Sequence, residues 1–462
     1  MTGIDTAINS GPAVLSGPHQ TQISGFTLNK TLSPRYLEIW LQGVHVGWLC
    51  EIEGTSRFIA TEEYLDDRER ATLSASIVMP GDDALLRSAV DSHTDPTLYR
   101  ERKQMPPFFA GLMSEGTLRL RLAATRKEDR DKDEFGILAA AGQDLPGAII
   151  AVPADLTKLP PSLSKMEIGG YSKVWAPIAP EGATAGGALL SGAQDKLALF
   201  YSHDDQLYRT PQKGELSNVV AKLPKVEDDS QVRNEYLCMT LARLAEINVA
   251  QCRLVPMSKI VGLPDLVRQL GPNTHFLAVD RFDRGPEGPV HIEDACQFLG
   301  MLPGQKYAGV RKFVLFLQML NRLGTKGIDD IQQFFMRQAV NTLIGNSDAH
   351  LKNHSVLYRH GIFPELSPAY DIVCLSALPN FRSLHTNVAI DKFQRKETLD
   401  FYCAVAQEAG IAQLAVKVAV KHAVELALDR WPTALQASDV PDRIRNEILG
   451  RLRTLPLALS LN

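Results

Sequence analysis

The feature that constrains this chain most is a change of period along it. Up to Arg281 the apolar residues fall in short alternating runs, and after Ile292 they recur at helical spacing. Leu37, Ile39 and Leu41 alternate with Glu38, Trp40 and Gln42 before Gly43 turns the chain. With the run from Val46 to Ile52 they predict a β-hairpin. Further short strands are expected near 58–61, 197–201, 206–209, 219–223, 253–256 and 275–281. A helix over 231–246 carries Val232, Tyr236, Met239 and Leu244, and another over 135–142 stops at a glycine. Residues 82–90 and 107–127 read as mixed or helical. Helices are then expected over 293–299, 310–323, 329–344, 399–409, 412–428 and 439–452, interrupted by a loop over 345–368 that holds a strand at 355–358.

At 462 residues the chain exceeds one ordinary core. The expected class is α+β with two lobes, a β-rich N-terminal part and an all-helical C-terminal lobe, and a cleft between them. Four segments follow: a flexible arm over 1–30, a small α+β unit over 31–152, a β-rich lobe over 153–285 and a helical lobe over 286–462. The third begins with a Pro-, Gly- and Ser-loaded loop over 153–187.

Hydrophobic residues make up 45% and charged residues 22%, a soluble globular balance. The net charge of −4 gives no overall electrostatic footprint for nucleic acid. None of the six cysteines lies within four residues of another, so no CxxC pair exists and reduced cytoplasmic thiols are expected. No signal peptide and no membrane span are expected.

The chemistry concentrates in Gly345-Asn346-Ser347-Asp348-Ala349-His350-Leu351-Lys352-Asn353, a polar loop after an apolar helix face. Phosphoryl transfer needs a carboxylate beside the attacking hydroxyl and an oxygen ligand for Mg²⁺ about five residues on. Asp348 and Asn353 stand in that relation, the Asp-to-Asn spacing of protein kinases. His350 could shape the loop, and Lys352 could steady the transferring group. A polar turn capping a helix is the bland alternative.

Asp371 lies 18 residues beyond Asn353 in Pro368-Ala369-Tyr370-Asp371-Ile372-Val373. A carboxylate among apolar neighbours needs a partner; Mg²⁺ suits, and so would a salt bridge. Lys222 ends the strand Val219-Val220-Ala221-Lys222 and could reach ATP phosphates, with Glu235 on the next helix to orient it. Gly192, Ala193, Gln194 and Lys196 belong to a glycine-rich stretch that could cradle phosphates or serve as a linker. Asp280-Arg281-Phe282-Asp283 ends a strand where β structure yields to helix. Its backbone from Asp280 to Phe282 could pair with adenine and Asp283 with the ribose, or the stretch could be a salt-bridged turn. His350 and His354 stand four apart, as zinc ligands do, but no HExxH glutamate accompanies them and Lys352 would sit beside the metal.

Together and in this order, the motifs resemble the HipA family of bacterial toxin kinases. Gly192-Ala193-Gln194, Asp280-Arg281-Phe282-Asp283, Glu293-Asp294-Ala295-Cys296-Gln297 through Gln305-Lys306-Tyr307, Asp348 to Asn353, and Pro368 to Asp371 each resemble a family segment. The resemblance implies a PI3K/protein-kinase-like fold and an ATP- and Mg²⁺-dependent serine/threonine kinase. It implies Asp348 as base, Asn353 and Asp371 as Mg²⁺ ligands, and Lys222 on the ATP phosphates. It also implies a HipB-like antitoxin through which DNA is met indirectly, and a protein substrate such as an aminoacyl-tRNA synthetase. The family's glycine-rich loop carries a serine that is autophosphorylated where this chain has Leu189, and Ser191 is shifted by two. A non-catalytic co-repressor and a small-molecule phosphotransferase remain the alternative readings.

Overall fold

Strands β1 (Arg35–Leu41) and β2 (Val44–Ile52) close an antiparallel hairpin over Gln42 and Gly43, whose φ angles of 50° and 81° match the twist of the flanking strands. The computed structural model describes residues 34–52, 54–77, 84, 87–88, 90, 95–113, 133–160, 163, 196–307, 309–378 and 398–460. With β3 (Thr55–Ala60), β4 (Tyr99–Arg100) and β5 (Ile149–Pro153) the hairpin forms an antiparallel sheet in the order β4-β3-β2-β1-β5. Alternation points Leu37, Ile39 and Leu41 into a core shared with Phe58, Phe108, Phe109 and Leu138. Helices of this part among the described residues include α1 (Glu62–Asp66), α2 (Pro107–Gly111) and α3 (Glu134–Ala141), the last ending at Gly142 as expected. Strand β5 was not foreseen, because Ile149-Ile150-Ala151-Val152 is an unbroken apolar run with no period.

A second sheet has the order β7-β6-β8-β10-β9, from β6 (Lys196–Ser202), β7 (Leu207–Arg209), β8 (Val219–Lys222), β9 (Cys252–Pro256) and β10 (His275–Asp280). Helix α4 (Ser230–Leu244) packs on it through Val232, Leu241 and Ala242. A short α5 (Pro264–Leu270) carries no readable apolar period, since Leu270 is its one buried residue.

The remaining chain is helical around a small sheet. After a two-residue ladder of β11 (Arg284–Gly285) and β12 (Gly288–Pro289), strands β13 (His291–Asp294), β14 (Ser355–Tyr358) and β15 (Glu365–Leu366) pair antiparallel. Residues 293–294 are therefore strand where helix was expected, and the C-terminal lobe, expected to be all-helical, carries this sheet among its helices. The reason is a capping box: Asp294 accepts from the amides of Cys296 and Gln297 while Gln297 accepts from the Asp294 amide, so α6 (Ala295–Phe298) cannot begin earlier. Helices α7 (Val310–Leu323), α8 (Ile328–Ile344), α9 (Leu399–Glu408), α10 (Gln413–Gln436), α11 (Asp442–Thr454) and α12 (Pro456–Leu459) follow. Helix α10 buries Val416, Val420, Ala423, Ala427 and Trp431 at helical spacing, and the Trp431 indole donates to the Leu241 carbonyl of α4 at 2.8 Å. One core thus runs from the second sheet into the helices.

Two buried polar clusters join the first sheet's layer to the rest. In one, Arg281 donates to Asp144 (2.9 Å), Asp283 (2.7 Å), Ser217 and the Leu145 carbonyl, and Arg284 also reaches Asp144 (2.9 Å). In the other, Glu293 on β13 accepts from the Ser74 and Tyr358 hydroxyls and, at 3.0 Å, from the Ala75 amide. Burial pushes the Glu293 carboxyl up to about 7, above the 4.5 of an exposed glutamate. The folded protein therefore holds a proton there that the unfolded chain has lost, so stability falls as pH rises from about 4.5 to 7. Glu293→Gln is expected to remove that slope. Denaturation midpoints of wild type and variant at pH 5 and pH 8 should converge at the lower pH and diverge at the higher, with wild type the weaker; parallel curves would refute it.

Candidate active site

The site starts from a register. Strands β6 and β8 pair so that Lys196 stands directly opposite Lys222. Like charges in that relation are destabilising unless anions lie between or beyond them. Here Lys222 is paired with Glu235 of α4 and with Asp371, and the Lys196 ammonium lies 3.7 Å from the other Asp371 oxygen. Both lysines are buried. Burial pushes the Lys222 ammonium down to about 8, with Glu235 opposing that shift.

Glu235 is held in place by its neighbour. Asn234 donates to the Cys374 carbonyl at 3.0 Å and accepts from the Cys374 amide at 3.2 Å, fixing α4 against the segment that follows Asp371. Asp371 itself has φ of 56°, the left-handed region that an aspartate tolerates at a cost. Asn346 holds this bend, donating to the Asp371 carbonyl at 3.1 Å and accepting from the Asp348 amide at 3.3 Å. One asparagine therefore ties the two aspartates' loops together.

The loop after α8 begins at Gly345, with φ of 83°. A Cβ there would lie 2.1 Å from the Ser376 hydroxyl, so only glycine fits. The chain then passes Asp348 and enters a 3₁₀ turn, Leu351–Asn353. The Asp348 carboxylate accepts from the Tyr307 hydroxyl at 2.7 Å. Asn353 turns its amide nitrogen to the Asp348 carbonyl at 2.9 Å, which leaves its oxygen end for another partner.

Lys352 is 5% exposed, and its ammonium is engaged by Asp294 at 2.7 Å and the Gly111 carbonyl at 3.3 Å. Its ammonium thereby anchors the loop to α6 and α2, while the residue also lines the cavity described below. His350 is buried against the edge of Tyr307, and burial pushes its imidazole down to about 4. His350 and His354 flank the 3₁₀ turn instead of sharing an α-helical face, and no cluster of three His, Cys, Asp or Glu able to hold a metal occurs among the described residues.

A cavity of about 820 Å³ is lined by Lys196, Lys222, Glu235, Asp280, Phe282, Asp283, Asp348, His350, Lys352, Asn353 and Asp371. Its apolar wall includes Val220, Met239, Val279 and Ile292. At the expected hinge, Asp280 pairs with Arg253 at 2.8 Å. The Asp283 carboxylate accepts from Arg281, Arg284 and the Gly147 amide (2.7 Å), which makes it a clamp on the first sheet's layer. Gly192, Ala193 and Gln194, with Leu189 and Ser191, lie outside the described residues. Sequence reasoning gives no role to Asn234, Asn346, Asp294 or Tyr307, and each has a partner distant in the chain: Cys374, Asp371, Lys352 and Asp348.

Residues 37–152 match the HipA N-terminal domain, and residues 188–431 match the HipA-like C-terminal domain. The chain belongs to the HipA family. The Y4dM protein of Sinorhizobium fredii is 32% identical to it over 429 residues, covering 91% of this chain and 93% of that one. The serine/threonine-protein kinase toxin HipA of Shewanella oneidensis is 28% identical over 286 residues, covering 56% of this chain and 60% of its own. A solved structure of Shewanella oneidensis HipA with HipB and operator DNA shares the fold, with a TM-score of 0.61 at 20% identity, over 92% of this chain and 99% of that one. The fold is thus the two-lobed kinase-like α+β fold of HipA, and kinases are among the chain's relatives. No helix among the described residues is long and apolar enough to cross a membrane.

Proposed function

We propose that this chain is an ATP- and Mg²⁺-dependent serine/threonine protein kinase, the toxin of a cytoplasmic pair with a HipB-like antitoxin that meets DNA on its behalf. The observation that carries the reading is the meeting of Lys196, Lys222, Glu235 and Asp371 on a cavity also lined by Asp348 and Asn353. Two opposed buried lysines are a poor structural choice but a good phosphate site. The donor set fits the metal: a carboxylate and an amide oxygen are the hard ligands Mg²⁺ takes alongside phosphate oxygens.

In this reading Asn353 and Asp371 hold the ion, which when bound neutralises charge on the phosphates and the group in transfer. Glu235 aims Lys222, and Lys222 with Lys196 binds the phosphate oxygens. Val220, Met239, Val279 and Phe282 enclose the adenine beside the backbone of Asp280 to Phe282. Asp348 accepts the proton of the attacking serine or threonine hydroxyl. A translation component such as an aminoacyl-tRNA synthetase is the proposed substrate class.

The test is transfer of labelled phosphate from ATP-Mg²⁺ into lysate proteins. Asp348→Asn should lower the rate by roughly 10²-fold, with label on serine or threonine. Equal labelling by wild type and Asp348→Asn would sink the reading.

A further inference from the structure

Of the segments that resemble the family, the stretch from Asp294 to Tyr307 has no part in the chemistry above. It nevertheless touches the catalytic loop at four points. The Asp294 carboxylate holds Lys352 at 2.7 Å. The Ala295 amide donates to the His354 carbonyl at 2.8 Å, and the Leu351 amide donates to the Lys306 carbonyl at 3.3 Å. The Tyr307 hydroxyl donates to Asp348 Oδ1 at 2.7 Å.

The first three catches fasten the loop's backbone and its buried lysine. The fourth acts on the proposed base itself. Tyr307 is 54% exposed, and its ring stands edge-on to His350 with centroids 5.2 Å apart. The Lys306 ammonium lies 5.4 Å from the ring centre. The ring is thus set by contacts that do not need its hydroxyl, and the hydroxyl is spent on one oxygen of Asp348.

We propose that Tyr307 is the positioning residue for Asp348. By donating to Oδ1 it fixes the carboxylate's rotation and leaves Oδ2 as the oxygen that meets a substrate hydroxyl. The segment from Asp294 to Tyr307 is accordingly a brace for the catalytic loop. The proposal rests on the kinase reading for what Asp348 does, but not for the contact. A base turned out of line costs rate without costing nucleotide affinity, because Asp348 makes no contact needed to hold ATP.

Tyr307→Phe keeps the ring and deletes the hydroxyl. In the lysate labelling assay the maximal rate should fall roughly tenfold to 100-fold, while the ATP concentration at half-maximal rate and the melting temperature stay at wild-type values. Without nucleotide, hydrogen–deuterium exchange of residues 346–354 should quicken, while α8 exchanges as in wild type. Tyr307→Ala should show the same pattern with a larger loss. A Tyr307→Phe protein with wild-type rate and wild-type loop exchange overturns the proposal, as does a faster one, which would make the phenol a plug rather than a brace. Wild type no more active than Asp348→Asn, with the loop exchange still responding to Tyr307→Phe, removes the kinase reading and keeps the brace.

Discussion

Arg281→Ala is expected to destabilise the protein by about 3–5 kcal/mol, the scale for breaking a buried ion pair from one side. Arg281 is 6% exposed and forks between Asp144 and Asp283, which are also buried. Removing it leaves two buried carboxylates sharing one guanidinium, Arg284, beside the amides of Gly147 and Ser217. Burial pushes the Asp283 carboxyl up, but Arg281, Arg284 and the Gly147 amide outweigh it and hold the group down at about 2. That contribution is present in wild type above about pH 4 and is lost as pH falls towards 2. Urea unfolding followed by tryptophan fluorescence at pH 7 measures the loss. Arg281→Lys should recover only part of it, since an ammonium cannot fork between two carboxylates. A midpoint unchanged in Arg281→Ala would mean that the cluster is not a clamp.

Asp371→Asn is expected to lower phosphate transfer by about 10³-fold, the upper range for losing one preorganised electrostatic group. The fold should survive. Asparagine tolerates the left-handed backbone that Asp371 adopts at φ of 56°, and Lys222 keeps Glu235 as its partner. The decisive measurement is nucleotide affinity with and without Mg²⁺. In wild type Mg²⁺ should strengthen binding of a fluorescent ATP analogue, and in the variant that gain should shrink or vanish. The same Mg²⁺ gain in both proteins would remove Asp371 from the metal site.

What the sequence disclosed follows the range of its signals. The spacing from Asp348 to Asn353 is local, so the loop could be read directly. Strands β6, β8 and β10 showed in their apolar runs, whereas β5 and α5 lacked a period to betray them. The opposition of Lys196 and Lys222 could not be read, because register between strands is settled by pairing in space. The supporting residues were hidden for the same reason. Asp294 meets Lys352 across 58 residues, Asn234 meets Cys374 across 140, and Arg281 meets Asp144 across 137. The clamp at Asp283 is hidden in the same way, because nothing near it in sequence announces that Arg281 forks to Asp144 or that the Gly147 amide donates to it. Glu293 and Asp294 looked helical for want of any sign that β14 would pair with them.

Gly111 has a consequence for how such chains can be recombined. A Cβ there would lie 2.3 Å from Gln297 Cγ, and Gln297 cannot swing aside because it bonds the Phe108 carbonyl and closes the cap of α6. The same glycine's carbonyl accepts from Lys352 of the loop over 345–353. A splice near residue 152 that joins the first part of one relative to the remainder of another would look seamless in an alignment. It would nonetheless transplant half of a lock, and the hybrid would inherit its donor's α2 against a stranger's Gln297, Lys352 and Arg281. Shuffling within this family should therefore succeed between pairs matched at those few contacts, whatever their overall identity.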